Sequence, residues 1–114
     1  MRKTVIFIVL LLFIQISISY GHAPSAVTLD FNKETSMLEV KYEHSVRDVT
    51  QHYVIEAKVQ LNGKEIIVQF LSSQEDLNGG SLVYKIIDAK PGDEILVQIR
   101  CNRAGSKSTS VKIQ

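Results

Sequence analysis

The chain has 114 residues, enough for one small domain, with 13 basic and 12 acidic side chains and a formal net charge of +1. Its length excludes a Rossmann or barrel enzyme. Its charge balance excludes a strongly basic nucleic-acid binder and gives no electrostatic reason for docking on a membrane. With a single cysteine, Cys101, the chain can form no intramolecular disulfide.

Residues 1–21 have the pattern of a secretory signal peptide. Two basic residues follow the first methionine, an apolar run covers 5–14, and small residues end the segment at Ser19 and Gly21. The apolar run is shorter than the about 20 residues of a membrane span, so we expect no membrane segment beyond the signal. Cleavage after Gly21 predicts a secreted, periplasmic or cell-surface domain of residues 22–114, with 11 basic residues against 12 acidic.

Seven short runs of alternating apolar and polar residues follow in the mature domain, and none has a helical period. Turn-forming pairs such as Asn62-Gly63 and Pro91-Gly92 separate them. Seven strands in about 90 residues predict an all-β, seven-stranded immunoglobulin-like β-sandwich. In chain order, the predicted strands are Val27 to Phe31, Leu38 to His44, Tyr53 to Leu61, Ile66 to Phe70, Leu82 to Ile86, Ile95 to Cys101 and Thr109 to Ile113.

Four side chains that can bind metals fall at the ends of predicted segments. His22 begins the mature domain, His44 ends the second strand, His52 begins the third, and Cys101 ends the sixth. The short connection 45–51 keeps His44 and His52 at one end of the sheet. If the sixth strand runs antiparallel to the third, its last residue reaches that same end. Binding sites often lie where a rigid strand passes into a loop.

A set of three imidazoles and one thiolate favours particular metal ions. Imidazole suits iron, zinc, copper and nickel, and thiolate favours these metals over calcium or magnesium. An alternative interpretation is that the histidines are solvated polar residues and Cys101 is a small core residue. The domain would then be a metal-free interaction module for adhesion or scaffolding. No nucleophile elbow or carboxylate pair supports acyl transfer or glycoside hydrolysis.

Several short motifs, read together, resemble the iron-binding domain of desulfoferrodoxin and superoxide reductase. The resemblance covers nearly the whole mature chain, residues 22–114. It is carried by His22-Ala23-Pro24, by His44 followed by His52-Tyr53-Val54, by Lys90-Pro91-Gly92-Asp93 and by Cys101-Asn102-x-x-Gly105. It implies an immunoglobulin-like sandwich that holds one iron ion, with superoxide as a small-molecule substrate and hydrogen peroxide as the product.

In that family the iron has four equatorial histidine nitrogens, an axial cysteine sulfur and an open sixth position. The resemblance therefore implies His22, His44 and His52 as equatorial metal ligands and Cys101 as the axial one, with no catalytic residue beyond these ligands. The chain differs from the family pattern in three ways, one of which is a longer spacing from His44 to His52. Ala104 stands where the fourth histidine is expected, and Tyr20-Gly21 stands where an acidic residue and an anion-attracting lysine are expected.

A copper site is a second interpretation of the same residues. If His22 is the mature N-terminus, its amine and imidazole can chelate copper together, with His44 or His52 as a third ligand. This interpretation leaves Cys101 without a role, and a nearby thiolate tends to reduce Cu(II). The sequence identifies no electron donor for either metal. The free edge of a four-stranded sheet would allow a homo-oligomer.

Overall fold

The computed structural model describes residues 21–114, so the predicted signal peptide lies, except for Gly21, outside the described residues. Every regular element from 21 to 114 is a strand, and this part of the chain contains no helix able to cross a membrane. The strands are β1 (Ala26–Asn32), β2 (Met37–Glu43), β3 (Val54–Leu61), β4 (Lys64–Phe70), β5 (Gly79–Lys85), β6 (Glu94–Cys101) and β7 (Ser106–Lys112).

The strands form two antiparallel sheets. One has the order β1-β2-β5 and the other β4-β3-β6-β7. The chain therefore changes sheet between β2 and β3, between β4 and β5, and between β5 and β6, as in immunoglobulin-like sandwiches. The predicted all-β sandwich of seven strands is confirmed.

The core is built by the inward-facing residues of both sheets. Leu38 and Val40 of β2 are fully buried, as are Val59 of β3 and Val97 of β6, which are paired across the central strands. The alternation of the sequence thus matches the burial of alternate residues in β2 and β6. In β7 the predicted alternation holds from Thr109 onward, where Thr109 and Val111 are half-buried and the residues after each are exposed. The strand itself starts at Ser106, because main-chain pairing with β6 extends it through exposed polar residues.

The Asn62-Gly63 pair forms the predicted two-residue hairpin between β3 and β4. Both residues have positive φ, 51° and 83°, as a type I′ turn requires. At the opposite end of β3 the pairing with β6 is irregular between Val54 and Glu56, and Val54 is paired with Cys101. Bulges of this kind often lie beside functional sites because they re-aim side chains. Two of the four candidate ligands, His52 and Cys101, lie at this irregular end of β3.

Candidate metal centre

The four candidate ligands come from four separate segments. His44 directly follows β2, His52 precedes β3 by two residues, and Cys101 is the last residue of β6. His22 lies in the segment before β1. Because β3 and β6 are antiparallel and in register at Val54 and Cys101, the start of one strand meets the end of the other. The predicted convergence of these side chains at one end of the sandwich is confirmed.

The three imidazole rings form a tight triangle. The ring centroids lie 4.8 Å apart for His22 and His44, 5.0 Å for His22 and His52, and 4.8 Å for His44 and His52. One ligand nitrogen from each ring lies within 4.8 Å of the others. Three nitrogens at this spacing could hold one metal ion after small adjustments of the side chains.

The sulfur of Cys101 completes the cluster on the side of His52. Its Sγ lies 3.2 Å from His52 Nε2. A nitrogen at about 2.1 Å and a sulfur at about 2.3 Å from one metal, bound at a right angle, lie about 3.1 Å apart. The observed separation therefore fits two neighbouring ligands of one ion. The described residues thus contain a three-histidine, one-cysteine cluster that could hold a metal.

The members of the cluster differ in how far they are exposed to solvent. His44 is fully buried, His52 is 7% exposed and Cys101 is 2% exposed, while His22 is exposed. The alternative of solvated strand-end histidines is therefore wrong for His44 and His52. The site has a buried floor and an open side at His22.

The residues that follow Cys101 make hydrogen bonds at the end of β6. The main-chain N–H of Arg103 donates to Cys101 Sγ over 3.4 Å. The Asn102 side chain accepts a hydrogen bond from the Tyr53 N–H at 3.0 Å and donates one to the Gln51 carbonyl at 3.1 Å. Asn102 therefore fixes the segment around His52 against the end of β6.

Burial lowers the pKa of His52 below its ordinary value, and the positive charges of His44, Arg103 and His22 lower it further. Both causes act against the protonated imidazole. They favour the neutral form, which is the form that binds a metal. The electrostatics of His52 thus suit a ligand at neutral pH.

An open cavity of about 600 Å³ adjoins the exposed side of the cluster. Two arginines, Arg47 and Arg103, border it together with His22 and His52; its other lining residues are Ser45, Val46 and Asp48. Sequence reasoning missed both arginines. Arg47 could have been found because it lies in the short connection between His44 and His52. Cationic side chains beside the open side of a site attract small anions.

Gln74 is a further residue that the sequence did not indicate. It lies in the polar connection between β4 and β5, is 3% exposed, and its Oε1 lies 2.8 Å from His44 Nδ1. The other ring nitrogen of His44, Nε2, lies 3.1 Å from the main-chain oxygen of His22. No local pattern marks Gln74 because its partners come from distant segments.

Ala104 lies in the exposed β6–β7 connection and offers no ligand atom. A Cβ added at Gly21 would lie 3.0 Å from the Ala104 Cβ, so this connection is adjacent to the segment that carries His22. Within residues 21–114 the cluster that could hold a metal therefore consists of three histidines and one cysteine.

The fold is that of superoxide reductase structures. The chain is similar to a superoxide reductase (1Fe-SOR) from Giardia intestinalis, with a TM-score of 0.60 and 13% identity over 81% of this chain and all of the other. It is similar to a hypothetical protein from Pyrococcus horikoshii OT3, with a TM-score of 0.59 and 12% identity over 85% of this chain and 95% of that one. It is also similar to a superoxide reductase in the oxidized state, with a TM-score of 0.50 and 11% identity over 86% of this chain and 94% of that one.

No protein-family model matches the chain, and no curated protein matches it by sequence. At 11–13% identity, the structural similarity establishes a shared fold of the superoxide reductase and desulfoferrodoxin type.

Proposed function

We propose that the domain binds one iron ion through His22, His44, His52 and Cys101 and reduces superoxide to hydrogen peroxide. The observation that carries the proposal is the 3.2 Å contact of Cys101 Sγ with His52 Nε2, at the edge of a three-histidine cluster in a superoxide-reductase fold. A bound ferrous ion would supply the one electron that, with two protons, converts superoxide to hydrogen peroxide, and would itself become ferric.

The residues around the cluster suit this reaction. Arg47 and Arg103 border the open cavity and would draw in the anionic substrate. The exposed side at His22 leaves room for a small molecule, while the buried side at His44 and Cys101 excludes water from the thiolate. Ala104 cannot replace the missing fourth imidazole, so we expect water or another small ligand to occupy that coordination position.

Cys101 favours iron over copper in this proposal. A copper site built on the amine of His22 would use His44 or His52 as a further ligand, and the thiol lies directly beside His52. A copper site built on the N-terminal amine gives this adjacent thiol no role. In a ferrous site the same thiolate would be a suitable ligand beside the three imidazoles.

The export of the domain is part of the proposal. The basic start and the apolar run of residues 1–21 support removal of this segment, which would make His22 the first residue. Mass spectrometry of the protein recovered from the secreted or periplasmic fraction would then give a chain that starts at His22. A chain that starts elsewhere contradicts the proposed cleavage site.

The experiment uses a protein that begins at His22, purified without oxygen, loaded with Fe(II) and then oxidised. We expect a thiolate-to-Fe(III) charge-transfer band in the wild type and none in Cys101→Ser. In a separate sample that is kept ferrous, superoxide should be consumed with one hydrogen peroxide formed for each Fe(II) that becomes Fe(III). A wild type without bound iron contradicts the proposal. Tight copper binding that survives Cys101→Ser, and is lost when one residue is added before His22, would favour the copper site.

A further inference from the structure

Two arginines border the open cavity beside the candidate metal centre, and neither is paired with an acidic side chain. Arg47 and Arg103 line this cavity of about 600 Å³. The remaining arginine among residues 21–114, Arg100, forms an ion pair with Glu56 at 3.4 Å. Within the same part of the chain, the guanidinium groups of Arg47 and Arg103 form no ion pair. Both groups can therefore bind an anion from outside the chain.

Asp48 also lines the cavity, but its carboxylate is bound within its own turn. Its Oδ1 accepts hydrogen bonds from the main-chain N–H of Thr50 at 2.9 Å and from the Thr50 hydroxyl at 2.6 Å. The carboxylate therefore does not neutralise either arginine by direct contact. Two positive charges against one negative charge leave the cavity with an excess of positive charge, which favours an anionic ligand.

Hydrogen bonds fix the main chain that carries both arginines. The Val46 N–H donates to the Leu77 carbonyl at 2.8 Å, which ties the residue before Arg47 to the β4–β5 connection. The Arg103 N–H donates to Cys101 Sγ at 3.4 Å, which ties this arginine to the end of β6. A ligand has to order the two arginine side chains but not the loops that carry them, so the entropic cost of binding is reduced.

The cavity is large for a diatomic anion. Its volume is about twenty times the ~30 Å³ that a water molecule occupies in the liquid. It falls in the range of about 300–1,000 Å³ that is usual for small-molecule sites. Val46 and the imidazole rings of His22 and His52 contribute less polar walls beside the two charges. Guanidinium groups bind carboxylates and phosphates through paired, charge-assisted hydrogen bonds.

We propose that this cavity binds a small organic anion, with its carboxylate or phosphate group at Arg47 and Arg103 and its apolar part against Val46. The bound anion would cover the exposed side of the cluster, at His22, and so compete with superoxide. The binding itself needs no metal, whereas the competition rests on the proposed function. The competing interpretation is that two solvated arginines only attract passing anions and hold none of them.

The first measurement is binding to the metal-free protein that begins at His22. Phenyl phosphate, benzoate and inorganic phosphate are titrated at about pH 8, above the ordinary histidine pKa of about 6.5, while amide signals are followed in nitrogen-15 spectra. We expect saturable shifts at Val46, Arg47 and Arg103. The tighter-binding organic anion should bind roughly 10-fold more tightly than inorganic phosphate, because its ring is buried against the apolar wall. Shifts without saturation, or equal affinity for inorganic phosphate, overturn the inference.

Two variants test the contacts that the anion should make. Arg47→Gln and Arg103→Gln each remove one guanidinium group, and we expect each to weaken binding of the tighter organic anion roughly 10-fold. The matched control is Arg100→Gln, which makes the same change of charge at an arginine that is paired with Glu56 and lies outside the cavity. It should bind the anion like the wild type. Equal losses in all three variants, or no loss in the two cavity variants, overturn the inference.

The second measurement separates this inference from the proposed function. In the iron-loaded protein at constant ionic strength, the rate with superoxide should fall as the anion concentration passes the Kd measured without metal. An unchanged rate at a saturating concentration overturns the competition. A protein that binds the anion but no iron contradicts the proposed function and supports the anion site. A protein that reacts with superoxide but binds none of the three anions overturns the anion site and leaves the proposed function standing.

Discussion

Gly105 lies against Ala23, the residue that follows the first candidate ligand. A Cβ added to Gly105 would lie 2.9 Å from the Ala23 Cβ and 3.1 Å from its main-chain nitrogen, and Gly105 has a φ of +79°. Only glycine adopts this backbone conformation readily while allowing so close an approach. The β6–β7 connection therefore fixes the segment that places His22 beside the buried candidate ligands.

Gly105→Ala should weaken the site by displacing this segment. We expect a loss of about 1–3 kcal/mol in the free energy of unfolding from the strained backbone, with Fe(II) affinity reduced about 10-fold or more because His22 moves. The control is Gly92→Ala, which has a φ of +92° and open space around the added carbon. It should lose stability but keep its affinity. Equal affinities in both variants would contradict the role of Gly105.

The contact of His52 with Cys101 predicts different spectra for two ligand variants. Cys101→Ser should lose the thiolate-to-iron absorption band, because it removes the sulfur. His52→Ala should keep the band at a shifted energy, because the sulfur remains while solvent replaces the imidazole beside it. Loss of one of four ligands should also weaken Fe(II) binding about 10-fold or more. Titration with Fe(II) and visible absorption measure both effects. An unshifted band in His52→Ala would remove this histidine from the ligand set.

The arginines at the cavity should govern the entry of superoxide. Replacing Arg47 and Arg103 with glutamine removes two positive charges beside the exposed side of the cluster. We expect the second-order rate with superoxide to fall about 10-fold at low ionic strength, and its salt dependence to flatten. Pulse radiolysis measures this rate.

Lys64→Gln provides the matched control for the arginine variants. It removes a positive charge from the exposed hairpin end of β4, at the opposite end of β3 from the cluster. Its rate should stay close to that of the wild type. Equal losses per removed charge at both ends would show that net charge, and not the arginines of the cavity, governs the rate.

The sequence predicts the sandwich and the meeting of four ligands because both depend on periodic patterns and on strand ends. His44, His52 and Cys101 each lie within two residues of a strand. Antiparallel pairing of β3 with β6 brings His52 to Cys101, and the packing of the two sheets adds His44 from the end of β2. Gln74 and Gly105 could not be predicted in the same way. Their roles depend on main-chain groups far along the chain, such as Val54 and Ala23, whose positions only the folded sandwich sets.

Asp93 lies at the end of the sandwich opposite the candidate metal centre, and its hydrogen bonds predict an acid sensitivity that does not depend on a bound metal. The Asn62 side chain donates to its carboxylate at 3.0 Å, as does the Lys90 N–H. These hydrogen bonds, in that order, hold the pKa of Asp93 below its ordinary value, with a smaller contribution from the charge of Lys90. The folded protein therefore binds a proton at Asp93 less readily than the unfolded chain does.

The contribution of the ionised Asp93 carboxylate to the free energy of unfolding should be fully present above about pH 4, the ordinary pKa of an aspartate in the unfolded chain. It should be lost as the pH falls through the lower pKa that Asp93 has in the folded protein. Asp93→Asn, which removes the charge, should therefore lower the Tm of the metal-free protein at about pH 7, and the difference from wild type should shrink towards about pH 2. Thermal unfolding by circular dichroism across this range measures it. A difference that stays constant throughout would mean that Asp93 acts through packing alone, and the ionised carboxylate would have no part in holding Asn62 and Lys90.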